Sequence, residues 1–307
     1  MENGKIMNYD KINGKVGFRE LDHYYGNIED SSIKYTSVTT LIGKYENEFD
    51  KEWVSKYKAL EKLVPSDEWK KEKGSIWKNH KIPNEYLEVK GITEEELNKT
   101  QQDILDEWAA INKEACERGT KIHAELENSF YAGGNNVSLQ KFGIGGKFTC
   151  KKDYNELNLE YGVYPEYLIY YDNPKIGLHI AGQIDLLIKD GNDIIIGDWK
   201  TNKKLDFKGF YNSSTRSTTK MKYPLTDLDD VNFNHYQLQL STYAWIIKKL
   251  NPDFNIKRLF ICHFDHEGNQ NIYEVQYLKD EVEKMLKHFA KQQKLEAQKK
   301  KYERVIY

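Results

Sequence analysis

The stretch AGQIDLLIKDGNDIIIGDWKTN, residues 181–202, has the Ile and Leu content of buried sheet, yet it carries Asp185, Asp198 and Lys200. Charges inside a strand pattern sit on a wet face or are held there for a purpose. The turn signal is Asp190-Gly191-Asn192-Asp193, where Gly191 and Asn192 can both take positive φ in a two-residue hairpin loop. With those two residues as the loop, Ile188 faces Ile195, Leu187 faces Ile196, and Asp185 falls opposite Asp198. Cβ atoms of directly opposed residues lie about 4.5–5.5 Å apart. Lys200, two residues past Asp198, projects from the same face.

Two carboxylates that close repel each other unless one is protonated or a cation sits between them. A small set of oxygen ligands suits Mg²⁺ or Mn²⁺, with substrate oxygens and water completing the shell. A lysine ammonium beside such a site can orient a water or offset charge in a phosphoryl transition state. The competing reading of the same residues is a solvent-facing hairpin with incidental salt bridging.

The whole chain sets bounds on these readings. Of its 307 residues, 31% are charged and 39% hydrophobic, a globular rather than a disordered composition. No apolar run reaches the roughly 18 residues of a membrane span. The N-terminus lacks the apolar core of a signal peptide, and its early acids Glu2, Asp10, Glu20 and Asp22 argue against an organelle transit peptide. A cytoplasmic location, in a bacterial cell or a phage-infected host, is therefore expected. Cys116, Cys150 and Cys262 are far apart and form no CxxC pair, so neither a disulfide framework nor a zinc site is expected. A four-thiolate iron–sulfur cluster would need one more cysteine. The net charge of −2 does not announce a nucleic-acid binder, so any such surface must come from local patches. The Gly-rich segment FGIGGKFTC, residues 142–150, lacks the G-x₄-G-K-[ST] spacing because Phe148 follows Lys147. It reads as a structural turn, and no ATP site is expected.

Along the chain, residues 1–40 predict short strands or a hairpin, with Ser37 or Thr39 capping a short helix. Residues 47–63 predict a helix, and 64–100 an elaboration of open role. From 101 to 131, apolar residues recur at helical spacing; Gly119 interrupts the pattern and predicts a close helix approach. Three strands follow over residues 161–199, then a basic Ser/Thr-rich segment read as a mobile loop, a helix around 234–250, two more strands and a lysine-rich helical tail. Strands flanked by helices predict a mixed α/β, or α+β, fold. With no repeat and no linker, one domain is expected over 1–307, comprising an N-terminal elaboration (1–100), a core (101–280) and a basic C-terminal helix (281–307).

At this point several blocks match one family in order. GQID…GDWKT resembles the G-x-x-D…D-x-K core of PD-(D/E)XK nucleases, in particular their RecB-type, λ-exonuclease-like branch. ERGTKIHAELE resembles that branch's G-T-x-x-H helix, YPEYLIYY its preceding glutamate strand, and YQLQLSTYAW its Q-L-x-x-Y-A helix. The N-terminal DHYYGN…IKYTSVTTLIGKY also resembles a block of mitochondrial genome-maintenance exonuclease and phage relatives.

The resemblance implies a restriction-endonuclease-like core with a central mixed sheet. It implies metal ligation by His123, Asp185, Asp198 and the Trp199 main-chain carbonyl, with Lys200 positioning or activating water. Glu166 and Gln239 would support a second metal, the water or the substrate, and Tyr243 would pack or touch a phosphate. Arg118 and Thr120 would meet the DNA backbone. Taken alone, His123 also suits a hydrogen-bonded core position, Glu166 a strand edge, and Gln239 with Tyr243 ordinary packing. Thr201, Lys203 and Lys204 open a segment with six Lys or Arg against Asp206 between 203 and 222, interleaved with Phe207, Phe210 and Tyr211. That mixture suits phosphate contact and base stacking, or simple solvation.

The activity so implied is a Mg²⁺- or Mn²⁺-dependent DNA exonuclease of replication, recombination or repair. Its expected partners are a single- or double-stranded DNA end and a replication or recombination protein, with no membrane. The alternatives are a structure-specific endonuclease, or a nuclease-fold DNA-binding protein that no longer cuts.

Overall fold

The computed structural model describes residues 8–152, 159–212 and 216–303. They fall into two compact units, Met1–Asn47 with Lys121–Tyr307, and Glu48–Thr120.

The larger unit begins with a meander of β1 (Lys11–Asn13), β2 (Val16–Arg19) and β3 (Tyr24–Asn27), then β4 (Thr36–Ser37) and α1 (Val38–Gly43). Ser37 caps α1, its Oγ accepting the Thr40 N–H at 3.0 Å. The smaller unit holds α2 (Lys51–Leu63), α3 (Ser66–Asn79), α4 (Asn84–Lys90) and the start of α5 (Glu94–Gly133). It has its own core of Trp53, Leu60, Trp69, Ile76, Leu97 and Ile104. Thr93 and Glu96 close a capping box before α5, each side chain accepting the other's backbone N–H. The helix then runs unbroken through Gly119.

After α5 come β5 (Val137–Ser138), β6 (Lys147–Phe148), β7 (Gly162–Asn173), β8 (Leu178–Asp190), β9 (Asp193–Lys200), β10 (Tyr211–Asn212) and β11 (Ser217–Thr218). They are followed by α6 (Asn232–Leu250), β12 (Asn255–Phe264), β13 (Gln270–Glu274) and α7 (Lys279–Glu303). The basic segment 203–222 therefore contains a short hairpin, with residues 213–215 outside the described set. The Gly-rich segment 142–150 caps the core through Phe142 and Phe148.

The central sheet is mixed, in the order β13-β12-β9-β8-β4, with β7 also paired to β8. Its middle is the predicted hairpin: Ile188 pairs with Ile195 and Leu187 with Ile196 around Gly191-Asn192. Gly191 alone of the two takes positive φ, +61°, the sign pattern of a type II′ turn. β7 occupies one edge of β8 from end to end, so β9 and β4 must share the other. β9 takes Leu186–Asp190 and β4 takes Ile180–Ala181, which leaves a fork in the sheet between them. The connection from β9 through α6 to the parallel strand β12 covers one face. Residues 237–247 of α6 are all buried, the polar Gln237, Gln239, Ser241 and Thr242 included, and Lys248 and Lys249 close its last turn.

Alternation along the two long strands inverts at one point. Tyr164 lies in the cluster under α6, but so do Tyr167 and Ile169 beyond Glu166. On β8, Ile184 lies in that cluster, and so does Leu187 beyond Asp185, while Leu186 and Ile188 face the opposite cluster with Trp199. Strand side chains alternate strictly in a regular pleat. The pleat is therefore broken at Glu166 and Asp185, beside the fork.

Candidate metal and catalytic site

The break in the pleat has a backbone cause. Glu166 takes φ +48°, a left-handed conformation that strands and non-glycine residues avoid. Holding it costs about 1–3 kcal/mol, strain that persists where surrounding structure over-determines it and that concentrates at functional sites. The result is that Glu166 and Asp185, on neighbouring strands, share one place with His123 from α5. His123 Nδ1 lies 3.4 Å from Glu166 Oε1 and 3.8 Å from Asp185 Oδ1. One ligand atom from each of the three lies within 4.8 Å of the others. On the other side of the ring, His123 Nε2 is 3.3 Å from the Trp199 carbonyl oxygen.

β9 supplies the other half. Its ladder with β8 ends at Leu186–Gly197, one pair short of the two acids. Beyond that point the Trp199 N–H donates to Asp185 Oδ2 at 2.7 Å, in place of a strand-to-strand bond. Asp198 is not among the three clustered ligands. Its Oδ2 forms an ion pair with Lys200 Nζ at 2.6 Å, and its Oδ1 accepts from Gln239 Nε2 at 3.2 Å. Lys200 Nζ donates in turn to Gln239 Oε1 at 3.3 Å and lies 4.6 Å from the centre of the Tyr236 ring. Asp198 Oδ2 is buried, and the Lys200 ammonium is its partner.

The electrostatics follow from burial. Burial, together with the Glu166 charge, raises the Asp185 carboxyl above the usual range, against the pull of His123 and Lys200. Burial also pushes Asp198 up to about 7, only partly offset by Lys200. For His123, burial pulls downward, but the Glu166 hydrogen bond and the charges of Asp185, Glu166 and Asp198 outweigh it and raise the imidazole to about 9. Lys200 behaves likewise: burial lowers it, the two aspartates raise it further, and the lysine remains the protonated partner of the pair. Protons stand in here for positive charge that the acids demand. Two carboxylates and an imidazole nitrogen at the edge of a buried fork could hold a divalent cation, which would displace the His123 proton.

Gln239 and Tyr243 lie one helical turn apart on α6, and Gln239 Nε2 also donates to the Tyr243 hydroxyl at 3.3 Å. Tyr243 is buried and packs over Gly182; a Cβ at Gly182 would meet the Tyr243 ring at 2.8 Å and its hydroxyl at 2.9 Å. That contact explains why glycine precedes Gln183, Ile184 and Asp185 on β8. Of the remaining predicted residues, Arg118 and Thr120 lie on α5 in the Glu48–Thr120 unit. Thr201 follows β9 half-buried, Lys203 is exposed, and Lys204 pairs with Asp206 at 2.6 Å.

Three neighbours went unread in the sequence. Gln183 Nε2 reaches Glu166 Oε2 at 3.4 Å, Tyr236 lies against Lys200, and buried Tyr25 is raised by burial and by the charges of Glu166 and Asp185. Gln183 and Tyr236 had a signal: one is two residues before Asp185, the other three before Gln239 on the same helical face. Tyr25 had none.

Acids and a lysine from the hairpin, with Glu166 and His123 beside them, make at the fork of a mixed sheet a group that could hold a metal ion. The model of the PD-(D/E)XK nuclease superfamily matches residues 57–305, and the chain belongs to that superfamily. Among solved structures, a candidate exonuclease from Eubacterium rectale is similar at 13% identity, over 83% of this chain and 77% of that one, with a TM-score of 0.28. The protein SSO0001 is similar at 16% identity, over 42% of this chain, with a TM-score of 0.25; the match spans about half of that protein, 48%. No curated protein matches. No helix among the described residues is long and apolar enough to cross a membrane.

Proposed function

We propose that this nuclease is an exonuclease hydrolysing phosphodiester bonds at DNA ends, with Mg²⁺ or Mn²⁺, in DNA replication, recombination or repair. One observation carries the reading: the Asp198–Lys200–Gln239 network is built against, yet separate from, the His123–Glu166–Asp185 ligand group. His123, Glu166 and Asp185 would hold the cation, with Asp198 and the Trp199 carbonyl, which lies against His123 Nε2, as the further ligands the resemblance implies. When bound, such a cation lowers the pKa of water and offsets charge on phosphoryl oxygens.

The chain's own residues do the positioning. Asp198 and Gln239 hold the Lys200 ammonium, which would orient a water or a phosphate oxygen. Gln239 keeps Asp198 and Lys200 in register, and Tyr243 anchors Gln239. Gln183 and Tyr236 support Glu166 and Lys200. Thr201, Lys203 and Lys204, directly beyond the lysine strand, would meet phosphates, and Arg118 and Thr120 are proposed to contact the backbone from α5. A single functional assembly of the whole chain, a cytoplasmic location and a replication or recombination partner complete the reading.

The test is digestion of end-labelled linear DNA, single- and double-stranded, beside a closed circle, with Mg²⁺, Mn²⁺ or EDTA. Metal-dependent loss of linear DNA alone, abolished in Lys200→Ala, is expected. Cutting of the circle would make the protein an endonuclease. Binding without cleavage under either metal would leave a DNA-binding protein of nuclease fold.

A further inference from the structure

Between Lys200 and Gln239 the chain builds the β10–β11 hairpin, and its root is fixed rather than loose. Asp229 Oδ2 accepts the Gly209 N–H at 2.9 Å, while Asp229 Oδ1 accepts the Thr218 hydroxyl at 2.6 Å and pairs with Lys220 at 2.5 Å. These three donors, Lys220 first, hold the Asp229 carboxyl down at about 2. Thr219 N donates to the Phe210 carbonyl at 2.9 Å, and the Asp230 N–H to the Thr219 carbonyl at 3.0 Å. Gly209 lies so close to the Thr219 backbone that a Cβ there would meet its carbonyl oxygen at 2.5 Å.

On that rigid root the side chains divide. Phe207 packs against Phe233 and Tyr273, with ring centres 4.6 and 5.6 Å away. Phe210 and Tyr211 do not: they are 80% and 59% exposed, beside exposed Lys203, Lys204 and Lys208. Asp206 is the one acid between 203 and 211, and it is already paired with Lys204. Ordered aromatic rings left in water among cations are what a base-stacking platform requires.

We propose that Phe210 and Tyr211 form a stacking platform for unpaired bases, so that the site takes its DNA as a single strand. The proposal rests on the nuclease reading above. Both ends of the platform's segment lead into the site, one from Lys200 and the other into α6, so a strand seated on the rings is delivered beside the lysine. The lysines complement the phosphate backbone without reading sequence.

The test measures binding of a fluorescein-labelled single-stranded oligonucleotide, and of the blunt duplex of the same sequence, in EDTA. Cleavage with Mg²⁺ or Mn²⁺ is then measured on both. The Phe210→Ala/Tyr211→Ala variant is expected to fold as the intact protein does, since both rings are exposed. It should bind the single strand about ten-fold or more weakly, as loss of ring stacking dictates. Duplex binding should change little, and KM for the single strand should rise with kcat kept. The exchange Phe210→Tyr/Tyr211→Phe should restore binding. Single-strand binding equal to that of the intact protein, or an equal loss on both DNAs, overturns the proposal. If the intact protein binds the single strand but cuts nothing, the nuclease reading falls and the platform is judged on the binding comparison alone. If the intact protein binds neither DNA, both readings fall.

Discussion

Asp185 and Asp198 sit on either side of one turn and look equivalent in the sequence, but the structure gives them opposite company. Asp185 shares its place with Glu166 and His123, two acids gathered against one imidazole. Asp198 has Lys200 and Gln239, and so a cation and an amide of its own. One side of the fork demands charge from outside; the other has it built in. On the proposed reading the Asp185 side would bind a cation and the Asp198 side would position a water, with one aspartate from each strand of the hairpin.

The comparison can be broken by mutation, and the largest effects should fall on its two centres. Lys200→Ala and Asp185→Asn are each expected to lower the cleavage rate at least ~10²–10³-fold, the loss seen when an aligned charge is removed from a water-excluded site. Steady-state cleavage of labelled DNA measures it; either variant retaining near-full activity would remove that residue from the chemistry. Gln239→Ala should cost less, about 10–100-fold, because it acts through the groups it holds. That loss should appear in kcat with KM nearly unchanged, and a matching rise in KM would instead make Gln239 a substrate contact.

Acidity sharpens the same contrast in the metal-free protein. Asp198 is held at about 7, above the ordinary carboxylate range, so between those values the folded protein keeps a proton that the unfolded chain has lost. His123 is held at about 9, and its stabilisation is complete below the ordinary imidazole value of about 6.5 and lost as pH rises through 9. Both signs agree: in EDTA the melting temperature should fall as pH rises from about 4 to 9. His123→Gln should flatten the upper part of that fall and Asp198→Asn the lower part. Thermal melts across this range are the check, and a melting temperature that rises from pH 5 to 9 in EDTA would contradict the assignment. The smallest effect is structural. Gly182→Ala should destabilise by about 1–3 kcal/mol, as overpacking does, because its methyl group must displace the Tyr243 ring. Denaturant melts would detect it, and a neutral result would mean that the ring moves aside freely.

The hairpin was legible because alternation and a turn signal fix register, and the pairs around Gly191 and Asn192 are those read from residues 181–202. Lys200 beside Asp198 was legible for the same reason, since residues two apart on a strand share a face. What alternation could not deliver is the place where alternation fails. A left-handed Glu166 has no signature in YPEYLIYY, and the inversion it imposes puts Glu166, rather than Asp198, beside Asp185 and His123. The fork of β8 was equally hidden, because β4 reaches it from more than 140 residues upstream. The basic segment read as a mobile loop has a fixed root because Asp229, on the far side of it, gathers three donors, a pairing that local composition does not encode.

The most direct measurement is Mn²⁺ titration by calorimetry of the intact protein, Asp185→Asn and Lys200→Ala, with cleavage assayed on the same samples. The account predicts that Asp185→Asn loses both binding and cleavage, while Lys200→Ala keeps the cation and loses cleavage alone. Loss of Mn²⁺ binding in Lys200→Ala, or full binding in Asp185→Asn, would contradict the division of the site into a half that takes the cation and a half that holds the lysine.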